Sequence, residues 1–161
     1  MHHYDYLFKI AVIGDMTVGK TAFVNKFVKN EFKSNHESTI GVEFGSNIIN
    51  INDIKYKFHI WDTAGQEKFM SLTQNYYRNV CGMVVMYDIS NRNTFNHLKM
   101  WMRNVEYYCH ENVSIVIVGT KVDLDKNHKR QVSYDEGLQF AQDNNALFFE
   151  KIGRAHVRTP V

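Results

Sequence analysis

A loop that could hold phosphate groups is indicated by Gly14 to Thr21, which reads GDMTVGKT. It matches the pattern G-x-x-x-x-G-K-[ST], in which backbone N–H groups wrap phosphate oxygens where a strand passes into a helix. In that pattern Lys20 supplies a cation to the β and γ phosphates, and the hydroxyl of Thr21 is a ligand for Mg²⁺. A glycine turn with a chance lysine is the alternative interpretation. The residues predicted to surround the phosphates are Asp15, Met16, Thr17, Val18, Gly19, Lys20, Thr21 and Ala22.

Hydrolytic chemistry is suggested by a second segment, Asp62 to Phe69, which reads DTAGQEKF. A carboxylate beside bound phosphates can hold the coordination shell of Mg²⁺, and Asp62 is the candidate for this role. A glycine N–H can contact a terminal phosphate and a glutamine can orient a water molecule, which makes Gly65 and Gln66 candidates as well. Together with Lys20, these two residues form the predicted catalytic set.

These segments need elements that bring them together, and the apolar spacing along the chain predicts six strands and three helices. The predicted strands are Leu7–Ile13, Phe44–Ile51, Lys55–Trp61, Met83–Asp88, Ser114–Gly119 and Ala146–Glu150. The predicted helices are Thr21–Val28, Thr94–Tyr108 and Ser133–Asn144. Asn52 and Asp53 suit a hairpin turn, and Ser133 with Glu136 forms a capping box at the start of the last helix.

Strands that alternate with helices predict an α/β fold with a mostly parallel central sheet and helices on both faces. Ligands of such sheets bind at the carboxyl ends of the strands. The segments that begin at Gly14, at Asp62 and at Thr120 (TKVDL) all fall at such ends. The sequence therefore predicts one ligand site along one edge of the sheet.

The composition of the 161 residues is that of one ordinary globular domain, with 44% hydrophobic and 22% charged residues. A net charge of +2 is too small to indicate a nucleic-acid partner, and no apolar run is long enough to cross a bilayer. We expect a cytoplasmic protein with reduced, buried thiols at Cys81 and Cys109. The basic cluster of Lys126, His128, Lys129 and Arg130 is expected to be a solvated loop.

With Thr39 to Phe44 (TIGVEF) added to the other segments, the chain resembles a Rab-type small GTPase of the Ras superfamily from about Tyr6 to Glu150. The features typical of the Rab type are IGVEF, WDTAGQEKF and, from Tyr76 to Asn79, YYRN. The resemblance implies a P-loop fold that hydrolyses GTP to GDP with Mg²⁺. It also implies that Thr39 binds the metal when a γ phosphate is present, that Gly65 contacts this phosphate and that Gln66 positions the attacking water.

For the base, the resemblance implies that Phe32 packs on the guanine edge, that Lys121 lies along the ring and that Asp123 accepts two hydrogen bonds from guanine. A carboxylate that faces the N–H donors of guanine would meet an acceptor on adenine, which favours GTP over ATP. Thr120 stands where most relatives have asparagine, so we expect guanine selectivity that is weaker but still present.

The resemblance further implies a monomer that acts in vesicle-mediated membrane traffic. Its exchange factor, activating protein and effectors would bind two switch segments, roughly 32–45 and 62–77. Effectors would dock on an aromatic triad of Phe44, Trp61 and Tyr76, although core packing is an equally good interpretation of each ring. The full-length protein would sit on the cytosolic face of an endomembrane, held only by a lipidated C-terminus that is absent from this sequence.

Two departures from the family pattern leave alternatives open. Met16 and Thr17 replace small residues, so a nucleotide-locked interaction module with negligible hydrolysis is the main alternative to a hydrolytic switch; a P-loop kinase is a more distant one. Residues 152–161 resemble a translated sequencing adapter. We therefore expect residues 1–150 to be a GTPase domain without its last helix and residues 151–161 to be a non-native tail.

Overall fold

The computed structural model describes residues 3–29, 42–63, 77–151 and 157–158 of the chain. The strands are β1 (Tyr6–Gly14), β2 (Val42–Ile51), β3 (Ile54–Thr63), β4 (Gly82–Asp88), β5 (Ser114–Thr120), β6 (Leu147–Lys151) and β7 (Val157–Arg158). The helices are α1 (Lys20–Lys29), α2 (Arg92–Asn96), α3 (Leu98–Tyr108), a 3₁₀ helix (Val122–Asn127) and α4 (Tyr134–Asp143). In this part of the chain, no helix is long and apolar enough to cross a membrane.

The described strands form one sheet in the order β2-β3-β1-β4-β5-β6-β7. The five central strands run parallel to one another, and β2 and β7 pair antiparallel at the two edges. Every predicted strand is present, with its ends displaced by at most two residues. The predicted α/β fold with a mostly parallel sheet is confirmed. β7 lies within residues 151–161, whose non-native origin stays a prediction.

Apolar side chains of the strands are buried on both faces of the sheet, because successive residues point to opposite sides. On one face, Ala11 and Ile13 of β1 belong to a core that also holds residues of α3 and α4. On the other face, Val12 belongs to a second core with Val24 of α1. Helices therefore cover both faces, as the sequence predicts.

Short-range signals in the sequence correctly located one turn and one helix start. Asn52 and Asp53 both have positive φ, at 50° and 63°, which is the backbone of a two-residue hairpin turn between β2 and β3. The Ser133 side chain accepts a hydrogen bond from the backbone N–H of Glu136, and the Glu136 carboxylate accepts one from the N–H of Ser133. The predicted turn and capping box are both confirmed.

The prediction of a single helix over Thr94–Tyr108 is wrong, because α2 ends at Asn96 and α3 begins at Leu98. His97 lies between them, and its carbonyl oxygen accepts from the N–H groups of both Met100 and Trp101. Such a shared acceptor tightens the turn without changing the apolar spacing, so the sequence pattern runs on across the break.

The prediction that both thiols are buried is wrong for Cys81, which is exposed, whereas Cys109 is partly buried. Cys81 comes just before β4, and its thiol donates to the carbonyl oxygen of Lys9 from the surface of the sheet. Burial raises the pKa of the Cys109 thiol to about 11. Cys109 therefore lacks the low pKa and the exposure of a reactive cysteine.

Gly137, inside α4, is expected to resist replacement by alanine. A Cβ there would contact the hydroxyl of Tyr87 and would lie 2.5 Å from Cζ of Phe148. Gly→Ala inside a helix usually stabilises by about 0.5–1 kcal/mol, but overpacking costs about 1–3 kcal/mol, so Gly137→Ala should lower the free energy of unfolding in urea. Equal or greater stability of the variant would contradict this packing.

Tyr87→Phe supplies the matched comparison for Gly137→Ala. Within the described residues the buried Tyr87 hydroxyl has no hydrogen-bond partner, so its removal should be neutral or stabilising. Without that hydroxyl, the cost of Gly137→Ala should shrink but not vanish, because the Phe148 ring remains.

Candidate functional site

The carboxyl ends of the parallel strands meet along one edge of the sheet. β1 ends at Gly14, β3 at Thr63, β4 at Asp88 and β5 at Thr120. The registers of β1 with β3 and β4, and of β4 with β5, place these ends side by side. Neighbouring positions on the sheet therefore hold the starts of three segments, which are the predicted phosphate loop, the segment from Asp62 and the TKVDL segment.

The backbone of the loop after β1 requires its glycines. Gly14 has φ of 141°, and a Cβ there would contact the carbonyl oxygen of Met86 in β4. Gly19 has φ of 99° and would meet no atom within 4 Å, so its conformation rather than crowding demands glycine. Thr17 has φ of 64°, which is strained for a residue with a side chain. Strained backbone of this kind is typical of loops that close around a ligand.

Lys20 is the first residue of α1, and its side chain is turned back into the loop. Nζ donates to the carbonyl oxygen of Asp15 at 2.6 Å, and the residue is 6% exposed. Burial lowers the pKa of Lys20 to about 8, while the charges of Asp62 and Asp15 act in the opposite direction. An anion that entered the loop would favour the charged form of the lysine and raise this pKa again.

Two oxygen ligands of the predicted metal site already lie together. Oγ1 of Thr21 donates to Oδ2 of the buried Asp62 at 2.5 Å, which joins the first turn of α1 to the end of β3. A hydroxyl and a carboxylate suit Mg²⁺, a hard cation that takes its other ligands from phosphates and water. Among the described residues no group of three or more His, Cys, Asp or Glu could hold a metal ion. The hydroxyl of Thr21 and the carboxylate of Asp62 fit Mg²⁺ that is brought by a nucleotide. The third predicted ligand, Thr39, lies outside the described residues.

The segment predicted to hold the base is fixed by residues of β4 and β5. Lys121 has φ of 63°, and its Nζ lies 2.6 Å from Oδ2 of Asp88, at the end of β4. The other carboxylate oxygen of Asp88 accepts from the N–H and hydroxyl of Ser90. Asp123 lies in the first turn of the 3₁₀ helix. Asp88 is a site residue that the sequence reasoning missed, although it carries the signal used for Asp62, a carboxylate at the end of an apolar strand.

The hydroxyl of Thr120 bridges the two halves of the site. It lies 2.6 Å from the carbonyl oxygen of Val18 in the phosphate loop and 2.9 Å from that of Tyr87 in β4. The hydroxyl has one proton and both of its neighbours are acceptors, so the buried Thr120 shares that proton between them. The threonine thus binds the phosphate loop.

The expectation of a solvated basic loop is confirmed for Lys126, His128 and Lys129, which are exposed. It is wrong for Arg130, whose side chain is only 18% exposed. Its guanidinium makes a bidentate contact with the buried Glu150 near the end of β6, at 2.7 and 3.0 Å. It also forms an ion pair with Asp125 at 3.1 Å. The arginine therefore ties the 3₁₀ helix to β6. The sequence reasoning missed this role because the partners are distant along the chain.

The described part of the chain includes most of the predicted site residues at this edge. They are Asp15, Met16, Thr17, Val18, Gly19, Lys20, Thr21, Ala22, Asp62, Thr120, Lys121 and Asp123. The predictions for Phe32, Thr39, Gly65 and Gln66 fall outside the described residues. Of the predicted catalytic set, only Lys20 can be placed.

A comparison with protein-family models gives a match to the model described as the Ras family, over residues 9–158. The matched range contains the phosphate loop, the segment that begins at Asp62 and the TKVDL segment that begins at Thr120, in that order. It also contains the parallel sheet that carries them. Members of this family bind GTP and GDP, typically with Mg²⁺, and hydrolyse GTP as molecular switches. The oxygen ligands and the buried lysine of the site suit a nucleotide with Mg²⁺. Because the family match covers nearly all of the chain, the chain belongs to the Ras family.

Proposed function

We propose that the chain is a Rab-type switch, which recruits effectors of vesicle traffic while GTP is bound and releases them after hydrolysis to GDP. The observation that carries the Rab assignment is an aromatic pair on β2 and β3, in which Phe44 is exposed. Phe44 is 51% exposed, and its ring centroid lies 4.8 Å from that of the half-buried Trp61. Large exposed aromatic side chains are typical of protein interfaces. The third proposed member, Tyr76, lies outside the described residues.

In this proposal the phosphates lie against residues 15–22, with Lys20 beside the β and γ phosphates. Thr21 and Asp62 hold Mg²⁺, and Thr39 joins them when GTP is bound. Mg²⁺ held by these residues would neutralise the charge that develops on the phosphate groups. The base lies between Lys121 and Phe32, with its N–H donors on the Asp123 carboxylate.

The proposed hydrolysis depends on the two switch segments. Gln66 orients the attacking water, and the N–H of Gly65 contacts the γ phosphate. Loss of this phosphate releases both segments, which changes the surface beside Phe44. An effector that needs this surface ordered therefore binds the GTP state only.

A second candidate function is a nucleotide-locked interaction module. The observation that favours it is Met16, which is 42% exposed in the phosphate loop and so is not held in the core. A long side chain at this point could crowd the hydrolytic water without weakening the binding of the nucleotide.

Activating proteins of different classes test the Rab assignment. The GTP-loaded chain is mixed in turn with activating proteins of the Rab, Ras and Rho classes, and single-turnover hydrolysis is followed. Met16→Gly is assayed in parallel, so that a blocked site is not mistaken for a wrong class. We expect acceleration of the variant by the Rab class only. Acceleration by only the Ras or the Rho class would overturn the proposal.

A further inference from the structure

The carboxylate of Asp15 is held by two side chains from the helical segment that follows β4. Its Oδ1 accepts from the indole N–H of Trp101 at 2.8 Å, and its Oδ2 lies 2.6 Å from Nδ1 of His97. These partners are more than 80 residues away along the chain. Asp15 also presents its carbonyl oxygen to Nζ of Lys20. One loop residue therefore links α3 to the phosphate-binding lysine.

Trp101 is the fixed side of this contact. It is 3% exposed and belongs to the core between α3 and the sheet, next to Met102 and Val105. A buried indole needs an acceptor for its N–H, and the Asp15 carboxylate accepts this hydrogen bond. His97 lies at the turn between α2 and α3, and its ring is about half exposed. The tryptophan therefore sets the position of the carboxylate, and the histidine adds a weaker contact.

We propose that Trp101 and His97 are positioning residues that fix the phosphate loop through Asp15, so that α3 controls how long the nucleotide stays bound. The inference rests on the nucleotide site proposed above. A carboxylate at the mouth of an anion site would otherwise repel phosphate, and the two donors both stabilise its charge and turn it towards α3. The loop then keeps the carbonyl of Asp15 on Lys20, which holds the ammonium group of the lysine inside the loop.

The dissociation rate of GDP is the direct measurement. Asp15→Ala and Trp101→Phe each remove a hydrogen bond to a charged group. The free energy lost should increase the dissociation rate of GDP by roughly 10-fold in each variant. Because both variants break the same contact, the double variant should release GDP no faster than the faster single variant. In Asp15→Asn the amide oxygen can accept from Trp101 and the amide N–H can donate to His97, so this variant should release GDP more slowly than Asp15→Ala.

Val105→Ala is the matched control, because it removes buried volume from the same helix without touching Asp15. It should lower stability and leave GDP release unchanged. Unchanged release in Trp101→Phe, or effects of Trp101→Phe and Asp15→Ala that multiply in the double variant, would overturn the inference. A rate in Val105→Ala as fast as in Trp101→Phe would also overturn it, since general loosening would then explain the result.

Amide hydrogen exchange of residues 15–19 tests the same contact without nucleotide. Faster exchange in Trp101→Phe, but not in Val105→Ala, supports the proposal that Trp101 fixes the loop through Asp15. Equal exchange in the two variants contradicts it. This readout separates the two proposals. A protein that bound no GDP would refute the proposed function, while the exchange experiment would still decide whether Trp101 fixes the loop.

Discussion

Replacing Met16 by glycine is expected to raise GTP hydrolysis in the presence of a Rab-activating protein by on the order of 100-fold. Met16 follows Asp15, whose carbonyl oxygen is bound to Lys20. The resemblance to small GTPases implies that the Met16 side chain lies beside the place proposed for the γ phosphate. The water, Gln66 and any residue that the activating protein inserts must share that space. A displacement of about one ångström in such a group can cost the expected factor.

Single-turnover hydrolysis, with and without the activating protein, measures this effect. Thr17→Gly is the matched control: it relieves the strained φ of 64° in the same loop but leaves Met16 in place, and it should not reproduce the gain. If Met16→Gly gains less than about twofold, the flexible methionine folds away from the phosphate and the chain is an ordinary hydrolytic switch.

Asp123→Ala is expected to abolish the preference for GDP over ADP. A site built to hydrogen-bond a polar group rejects an analogue that lacks it by roughly 10,000-fold or more, and the proposed site directs its carboxylate at the N–H donors of guanine. Thr120 does not share this task, because its hydroxyl is bound to the carbonyl oxygens of Val18 and Tyr87. The selectivity should therefore survive the replacement of the usual asparagine.

Calorimetric titration with GDP and ADP gives the ratio of the two dissociation constants. Asp125→Ala is the control, since this neighbouring carboxylate binds Arg130 and should leave the ratio unchanged. Equal binding of both diphosphates by the unmutated chain would refute the guanine assignment. A preserved ratio in Asp123→Ala would place the discrimination on another residue.

Local signals in the sequence predicted the elements that depend on neighbouring residues. The buried strands are apolar runs because both of their faces are covered, and the capping box of Ser133 and Glu136 satisfies N–H groups within one turn. The phosphate loop was recognisable because the positive φ of Gly14 and Gly19 is a property of the loop backbone itself. These features need no knowledge of the rest of the chain.

Contacts between distant segments were not predictable in the same way. Nothing near Asp15 in the sequence indicates Trp101, and nothing near Arg130 indicates Glu150, because each pair meets only after the sheet has formed. The turn at His97 was missed for a related reason, since it leaves the apolar spacing of α2 and α3 intact. Polar side chains that join elements are therefore the part of the site for which the structure was needed.

The Thr120 bridge has a consequence for ligands smaller than a nucleotide. The Thr120 hydroxyl joins the TKVDL segment, proposed to hold the base, to Val18 of the phosphate loop. The protein therefore sets the distance between the base site and the phosphate site before any ligand arrives. Guanosine and pyrophosphate, added separately, must each lose their own freedom of motion, whereas in GDP the phosphoester bond at the 5′ oxygen brings the second group at high effective concentration. A mixture of the two fragments is thus a poor competitor, and the rigid spacing makes the intact nucleotide the unit that this site recognises.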